Sequence, residues 1–227
     1  MKILHLSDLH GCHTQAVEKL IADHTPDWIV LTGDILPEFG KVSGEASRLA
    51  RQREWWGTYR TSFMSPQAVT TFTLGNHEIV GFRDCDLEAV PSALVGLVGI
   101  LQGNPTEFGS WGFSREYGPE QLQAEVGLLN HPQVVLSHCP PYGLADRNRQ
   151  GVAIGHRPLR ALLDNPLEAP ALVLCGHVHE GNSQVRHGGT LVVNSAGGYA
   201  LLDLDLGTSQ VKVLAMNLLS SSPQEAP

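Results

Sequence analysis

Short apolar runs alternate with amphipathic stretches along the first two-thirds of the chain. In residues 14–24, for example, Val17, Leu20 and Ile21 recur at helical spacing after Thr14, a residue suited to cap a helix. The pattern predicts strands at 2–7, 28–31, 70–74, 133–137 and 171–175, and helices at 14–24, 45–59, 119–129 and 158–163. This order favours parallel strands joined by helical crossovers.

After Gly181 the pattern changes to closely spaced short strands. We predict them at 183–187, 190–194, 199–206 and 210–216, with Gly188-Gly189 marking a hairpin. This spacing favours antiparallel sheet in the C-terminal part. The last residues, 220–227, form a polar tail, and no repeat or linker divides the chain. We therefore expect a single domain over 1–227.

Composition narrows the class of protein. The 227 residues are 42% hydrophobic and 17% charged, which is typical of a folded chain, and the net charge of -8 makes a nucleic acid an unlikely partner. No apolar run reaches the roughly 18 residues of a membrane span, so no membrane partner is expected, and the first residues are typical of a strand, not a signal peptide. Four widely spaced cysteines without a Cys-x-x-Cys pair favour reduced thiols in the cytoplasm.

Aspartate, asparagine, glutamate and histidine residues follow the predicted strands. They form five blocks: Asp8 and His10; Gly33-Asp34; Gly75-Asn76-His77-Glu78; His138; and Gly176-His177-Val178-His179. Loops after the carboxyl ends of parallel strands converge on one crevice, so these side chains can meet. Oxygen and imidazole donors without thiolate suit catalytic manganese, iron or zinc, and Asp34, with two oxygens, can bridge two ions.

The five blocks, in this order, resemble the calcineurin-like metallophosphoesterase superfamily over about residues 1–200. The resemblance implies an α/β fold, a four-layer α-β-β-α sandwich with a dimetal site at the carboxyl ends of the strands. It implies that one divalent ion is held by Asp8, His10, Asp34 and His179, and the other by Asp34, Asn76, His138 and His177. It also implies that His77 faces the substrate and that Glu78 fills the acidic position of its motif.

The second half is similar to a small phosphodiesterase-like branch of that superfamily. The similarity lies in Ser137–Gly143, in Cys175–Gly181 and in Val193–Ala196. Some members of the branch have glycine in place of the last histidine ligand, whereas this chain has His179. A complete two-metal site is therefore expected, with a small-molecule phosphodiester as the favoured substrate.

In such a site the two ions lie about 3.5–4 Å apart and the hydroxide that bridges them attacks phosphorus. His77 then donates a proton to the departing alkoxide. The alternatives are a phosphomonoesterase or protein phosphatase, a nuclease, and a non-catalytic scaffold of the same fold. The intact ligand set argues against the scaffold, and the negative charge argues against the nuclease.

Several other residues can be interpreted in two ways, as part of the functional site or as ordinary structural residues. Arg83, Arg147, Arg149 and Arg157 could grip a phosphate or lie in solvated loops. The aromatic face of the second helix, Trp55, Trp56 and Tyr59, could stack on a base but is more typical of packing. The six histidines outside the motifs have no comparable support and are expected on the surface or in the core: His5, His13, His24, His131, His156 and His187.

Overall fold

The computed structural model describes residues 1–38, 44–79, 81–82, 89–106 and 114–219. In this part of the chain the strands are β1 (Lys2–Ser7), β2 (Trp28–Thr32), β3 (Val69–Thr73), β4 (Val98–Leu101), β5 (Asn104–Pro105), β6 (Glu116–Tyr117), β7 (Val134–Ser137), β8 (Leu172–Cys175), β9 (Ser183–His187), β10 (Thr190–Asn194), β11 (Gly198–Leu204) and β12 (Val211–Leu218). The helices are α1 (Thr14–His24), α2 (Glu45–Tyr59), α3 (Pro119–Gly127) and α4 (Arg157–Asp164). Arg83, Cys85 and the predicted tail, 220–227, lie outside the described residues.

Two five-stranded sheets form the centre of the molecule. The first has the order β12-β11-β1-β2-β3, and the second has the order β4-β7-β8-β10-β9. Strands β1, β2 and β3 are parallel to one another, as are β4, β7, β8 and β10. The parallel pairing predicted for the first two-thirds of the chain is therefore confirmed.

The expectation for the C-terminal strands is only partly correct. Strands β9 and β10 form the predicted antiparallel hairpin, and β11 and β12 pair antiparallel. They do not form a sheet of their own, however, because β10 joins β8 in parallel and β11 pairs with β1. The hairpin thus completes the second sheet and the last two strands complete the first.

Alternating side chains of the strands build the layers. On β1, Ile3 packs between the two sheets, whereas Leu4 packs with Val17 of α1 on the outer side. On β8, Leu172 likewise faces the other sheet, whereas Val173 packs with the apolar residues of α3 and α4. Every strand buried on both faces needs cover on both sides, which produces the predicted α-β-β-α sandwich.

The aromatic face of α2 packs into the molecule. Trp56 is 4% exposed, and its ring lies 5.8 Å from that of Phe63 and 5.4 Å from that of Phe72, between centroids. Trp55 packs against the same cluster, whereas Tyr59 is at its edge and exposed. Packing, not base stacking, accounts for these aromatics.

The pattern does not predict the short strands β5 and β6, and it also differs from the structure at the start of α1 and at strand β4. Thr14 is the first residue of α1 and not its cap, because His13 takes that position in a left-handed conformation with φ 69°. Strand β4 was not predicted. Its apolar run contains Gly99, a residue that weakens strand propensity but here lets Leu129 approach closely, since a Cβ on Gly99 would lie 2.7 Å from Leu129 Cδ2.

Two histidines outside the motifs are fully buried. His5 Nε2 lies 2.8 Å from Thr32 Oγ1 between the sheets, and His156 caps α4, its Nδ1 accepting a hydrogen bond of 3.0 Å from Leu159 N. Burial disfavours the charged imidazole and lowers the pKa of His5 to about 3 and that of His156 to about 4. The structure thus buries both rings in the neutral form.

In the described part of the chain no helix has the length and apolar character that crossing a membrane requires.

Acid should therefore destabilise the fold through His156. Between its unfolded pKa near 6.5 and its folded pKa of about 4, the unfolded chain binds the proton and the folded chain does not. Stability then falls with decreasing pH by up to about 1.4 kcal/mol per pH unit for this group. His156→Asn keeps a capping acceptor but cannot titrate, so urea unfolding at about pH 7 and about pH 5 should show a smaller loss than in the wild type.

The same replacement at exposed His131 controls for the general effect of removing an imidazole. An equally steep loss of stability in His156→Asn and wild-type protein would contradict the assignment of a buried neutral ring to His156.

Candidate metal centre

The predicted site residues follow the strands at one edge of the sandwich. Asp8 comes directly after β1, Asp34 two residues after β2, and Asn76 three residues after β3. On the second sheet, His138 comes directly after β7 and His177 two residues after β8. The parallel strands of each sheet end at the same edge, which brings all five loops together.

The backbone is strained where these side chains enter the site. Asp8, His10, Asp34 and His177 have positive φ values of 56°, 48°, 52° and 67°. Residues with a Cβ seldom adopt this conformation, which costs of order 1–3 kcal/mol unless surrounding contacts enforce it. Here the sharp turn at each strand end directs the side chain into the space between the loops.

Three of these residues form a first candidate metal cluster. The ligand atoms of Asp8, His10 and His179 lie within 4.8 Å of one another. Asp8 Oδ1 is buried and has no hydrogen-bond partner among the described residues, while His179 Nε2 lies 3.4 Å from it. An unpartnered carboxylate oxygen that faces imidazole nitrogens is the arrangement a divalent cation completes.

The second cluster contains Asp34, His138 and His177, with ligand atoms again within 4.8 Å of one another. His138 Nδ1 lies 2.7 Å from the Thr32 carbonyl and must donate to it, so Nε2 is the atom that offers a lone pair once the ring gives up its second proton. That atom lies 3.2 Å from Asp34 Oδ2 and 3.1 Å from Asn76 Oδ1. Three lone-pair atoms converge on one point, which also fits a bound cation.

The electrostatics of the two clusters agree with this assignment. Burial opposes charge on Asp8 and Asp34, but His138 and neighbouring imidazoles outweigh it and keep the pKa of both carboxyls low. Burial also opposes charge on His138, yet Asp34 and Asp8 raise the pKa of its ring to about 10. The two buried carboxylates thus favour positive charge nearby, which the protonated His138 ring supplies here and which a metal pair that displaces its proton would supply instead.

Two glycines leave the room that the carboxylates occupy. A Cβ on Gly75 would overlap Asp34 Oδ1, and a Cβ on Gly176 would overlap Ser7 Oγ and Asp8 Oδ2. Asp8 Oδ2 accepts hydrogen bonds from Ser7 Oγ at 2.6 Å and from His177 N at 2.8 Å. The glycines of the motifs therefore allow neighbouring loops to contact the carboxylates directly.

Glu78 is a buried anchor and not a member of either cluster. One of its carboxylate oxygens accepts from Asp34 N and Gly75 N at 2.8 and 2.6 Å. The other accepts from Ile35 N and Leu36 N at 2.9 and 3.1 Å. Burial and the Asp34 charge raise the pKa of Glu78 to about 7, against the effect of the N–H donors. Glu78 thus ties the loop after β2 to the loop after β3.

His77 lies beside the clusters with a carboxylate partner that the sequence did not reveal. Its Nδ1 is 2.9 Å from Glu38 Oε1, and its Nε2 is 3.8 Å from Asp34 Oδ2. Burial lowers the pKa of His77, but Asp34 and Glu38 outweigh it and raise the pKa to about 9. Glu38 also lies 3.5 Å from His10 Nδ1. Its only signal in the sequence is its place four residues after Asp34.

Three of the four arginines considered for phosphate binding have other contacts. Arg147 donates to the Gly151 carbonyl at 2.6 Å, Arg149 pairs with Glu180 at 2.6 Å, and the Arg157 guanidinium lies 3.6 Å from the Tyr142 ring centroid. Within the described ranges, none of these three pairs with a carboxylate of either cluster. Arg83 is outside the described residues.

The chain belongs to the calcineurin-like phosphoesterase family, whose model matches residues 1–181, and it is therefore a phosphoester hydrolase that depends on metal ions. An uncharacterized protein of Methanocaldococcus jannaschii is 27% identical over 202 residues, which cover 86% of this chain and 87% of that protein. The two candidate metal clusters described above agree with the dimetal chemistry of the family.

Solved structures share the fold at low sequence identity. A dimetal phosphatase from Danio rerio is 12% identical with a TM-score of 0.55, covering 94% of this chain and 95% of its own. The TT1561 protein of Thermus thermophilus is 19% identical with a TM-score of 0.54, covering 93% and 97%. A further solved chain reaches a TM-score of 0.64 at 18% identity, covering 95% and 99%. These likenesses concern the fold.

Replacing Glu78 should loosen the site. In Glu78→Gln the amide NH2 takes the place of one oxygen and leaves two backbone N–H groups without an acceptor. Each buried unpaired donor costs about 1–3 kcal/mol, so we expect a lower free energy of unfolding and weaker metal binding. Urea unfolding and metal titration measure the two effects. Glu54→Gln, on the exposed face of α2, is the matched control, and unchanged metal affinity in Glu78→Gln would contradict the anchoring role.

Proposed function

We propose that this protein hydrolyses small-molecule phosphodiesters at two divalent ions, with His77 as the general acid. The observation that carries the proposal is the pair of adjoining clusters whose buried lone-pair atoms face one another, with the His77 ring beside Asp34. When bound, the two ions supply Lewis-acid chemistry that activates water and neutralises phosphoryl oxygens.

The residues that would hold the ions are those of the five motifs. Asp8, His10 and His179 would hold one ion and Asp34, Asn76, His138 and His177 the other, and the motif resemblance implies that Asp34 would be shared by both. Oxygen and nitrogen donors without thiolate suit manganese, iron or zinc. The four widely spaced cysteines, without a Cys-x-x-Cys pair, support the predicted reducing, cytoplasmic environment.

His77 has the properties of a proton donor to the leaving group. Its ring side chain is 20% exposed, so a substrate can reach it, and Glu38 at Nδ1 leaves Nε2 directed toward Asp34. The Asp34 and Glu38 carboxylates outweigh the effect of burial and raise the pKa of His77, which favours the protonated ring that a proton donor needs. Glu38 stabilises that protonated form as an ion pair and orients the ring.

The charges around the site favour a diester over a monoester. A diester carries one negative charge and a monoester carries up to two, so a monoesterase needs additional cationic side chains near the metals. Arg147, Arg149 and Arg157 have contacts elsewhere, and a carboxylate, that of Glu38, lies beside His77. A second phosphate charge would meet repulsion there.

The role of His77 predicts a dependence on the leaving group. His77→Ala should retain both metals but slow cleavage of a diester with an alkyl leaving group by about 10²- to 10⁴-fold, because a poor leaving group needs the proton. Cleavage of a nitrophenyl diester should change far less. Elemental analysis and kcat/KM for both substrates decide the matter.

Asp34→Asn is the contrasting variant, since weakening the shared ligand should lower the content of both ions. Loss of metal from His77→Ala, or unchanged turnover of the alkyl diester, would show that His77 has a different role.

Substrate charge provides a separate test. We expect a higher kcat/KM for bis-nitrophenyl phosphate than for nitrophenyl phosphate with the manganese-loaded protein, because Arg147, Arg149 and Arg157 have other contacts and are not placed to pair with the second negative charge of the monoester. Arg149→Ala serves as the comparison variant. A preference for the monoester that disappears on replacing Arg149, or Arg83, Arg147 or Arg157 in turn, would overturn the diester assignment and leave the two-metal chemistry intact.

A further inference from the structure

Helix α2 buries a polar side chain beside the site. Its two buried residues are Gln52 and Trp56, one turn apart, and Gln52 is 2% exposed. Trp56 packs among Phe63, Phe72 and Phe82, so Gln52 lies at the border of an aromatic cluster. A buried amide is costly unless it is hydrogen-bonded, which makes its partners informative.

Both ends of the Gln52 amide bind the main chain around Glu78. Nε2 donates to the His77 carbonyl at 2.9 Å, and Oε1 accepts from Ile79 N at 3.0 Å. A single planar group therefore fixes the backbone on both sides of Glu78 and sets the direction of the peptide that leaves His77.

The other contacts of His77 show why its hydrogen bond with Gln52 matters. Its backbone N–H donates to Asp34 Oδ1 at 2.9 Å, and its ring contacts Glu38. The main chain of His77 is thus held at its N–H by Asp34, a candidate metal ligand, and at its carbonyl by Gln52. The two clusters have their own anchors in Glu78 and the Thr32 carbonyl, so Gln52 acts on His77 more than on the metal ligands.

We propose that Gln52 is a positioning residue for His77: its two hydrogen bonds to the His77 carbonyl and the Ile79 N–H hold the imidazole where it can reach the leaving oxygen. This inference rests on the proposed role of His77 as general acid. A general acid must lie within hydrogen-bond reach of the atom it protonates, so a small displacement of the ring reduces its contribution.

Two variants separate the hydrogen bonds from packing. Gln52→Met keeps the length of the side chain beside Trp56 and removes both hydrogen bonds. Gln52→Glu keeps an acceptor for Ile79 N and, when ionised, has no hydrogen to donate to the His77 carbonyl. Gln123→Met, at an exposed position of α3, controls for the same chemical change elsewhere.

Amide hydrogen exchange tests the geometry without reference to activity. In Gln52→Met the Ile79 amide should exchange at least about tenfold faster than in the wild type, because its acceptor is gone, and Gln52→Glu should retain the protection. Metal content should equal that of the wild type in both variants. Unchanged Ile79 exchange in Gln52→Met, or loss of metal from both variants, would overturn the inference.

Kinetics test the consequence. Gln52→Met should lower kcat/KM for the alkyl diester by about tenfold or more, with less than about a twofold change for the nitrophenyl diester, and should add no further loss to His77→Ala. Equal losses for both substrates, or a further loss in the double variant, would show that Gln52 acts through the fold in general. Failure of the proposed function is a distinct result, since the metal-loaded wild-type protein would then cleave neither diester.

Discussion

The carboxylates of Asp8 and Asp34 are buried at the edge where the two sheets meet, and their charge determines what surrounds them. Removing an ionised carboxylate from water is costly unless it gains charged or hydrogen-bonding partners. Here the partners are backbone N–H groups, such as those of His77 and His177, and a ring of imidazoles. The two carboxylates in turn raise the pKa of His138, because they stabilise its protonated ring.

Holding those partners in place requires further hydrogen bonds. Glu78 gathers four backbone N–H groups from two loops, and the Thr32 carbonyl orients His138 from the other sheet. The bond from Asp34 N to Glu78 also supports the strained left-handed conformation of Asp34. The supporting residues thus convert a set of strand ends into one rigid arrangement.

Most helices and strands could be predicted from the sequence, because in a layered sandwich the spacing of apolar residues along each element matches the faces that the element buries. The bounds of β1, α1 and α2 match the pattern, and the structure places six of the motif residues in two candidate clusters. Strand β4 could not be predicted because Gly99, which allows the close approach of Leu129, lowers the strand propensity of its segment. Glu38 and Gln52 escaped because their roles depend on contacts between loops and a helix, for which no spacing along the chain provides a signal.

Each candidate metal cluster draws on both sheets, and this has a consequence for the fold. The first combines Asp8 and His10, after β1, with His179, after β8, and the second combines Asp34, after β2, with His138 and His177. A cation bound at either cluster therefore links the two sheets at one edge, where two buried carboxylates would otherwise repel each other. Because an ion that binds only the folded arrangement adds its binding free energy to folding, metal binding at these clusters would couple metal affinity to the association of the two sheets.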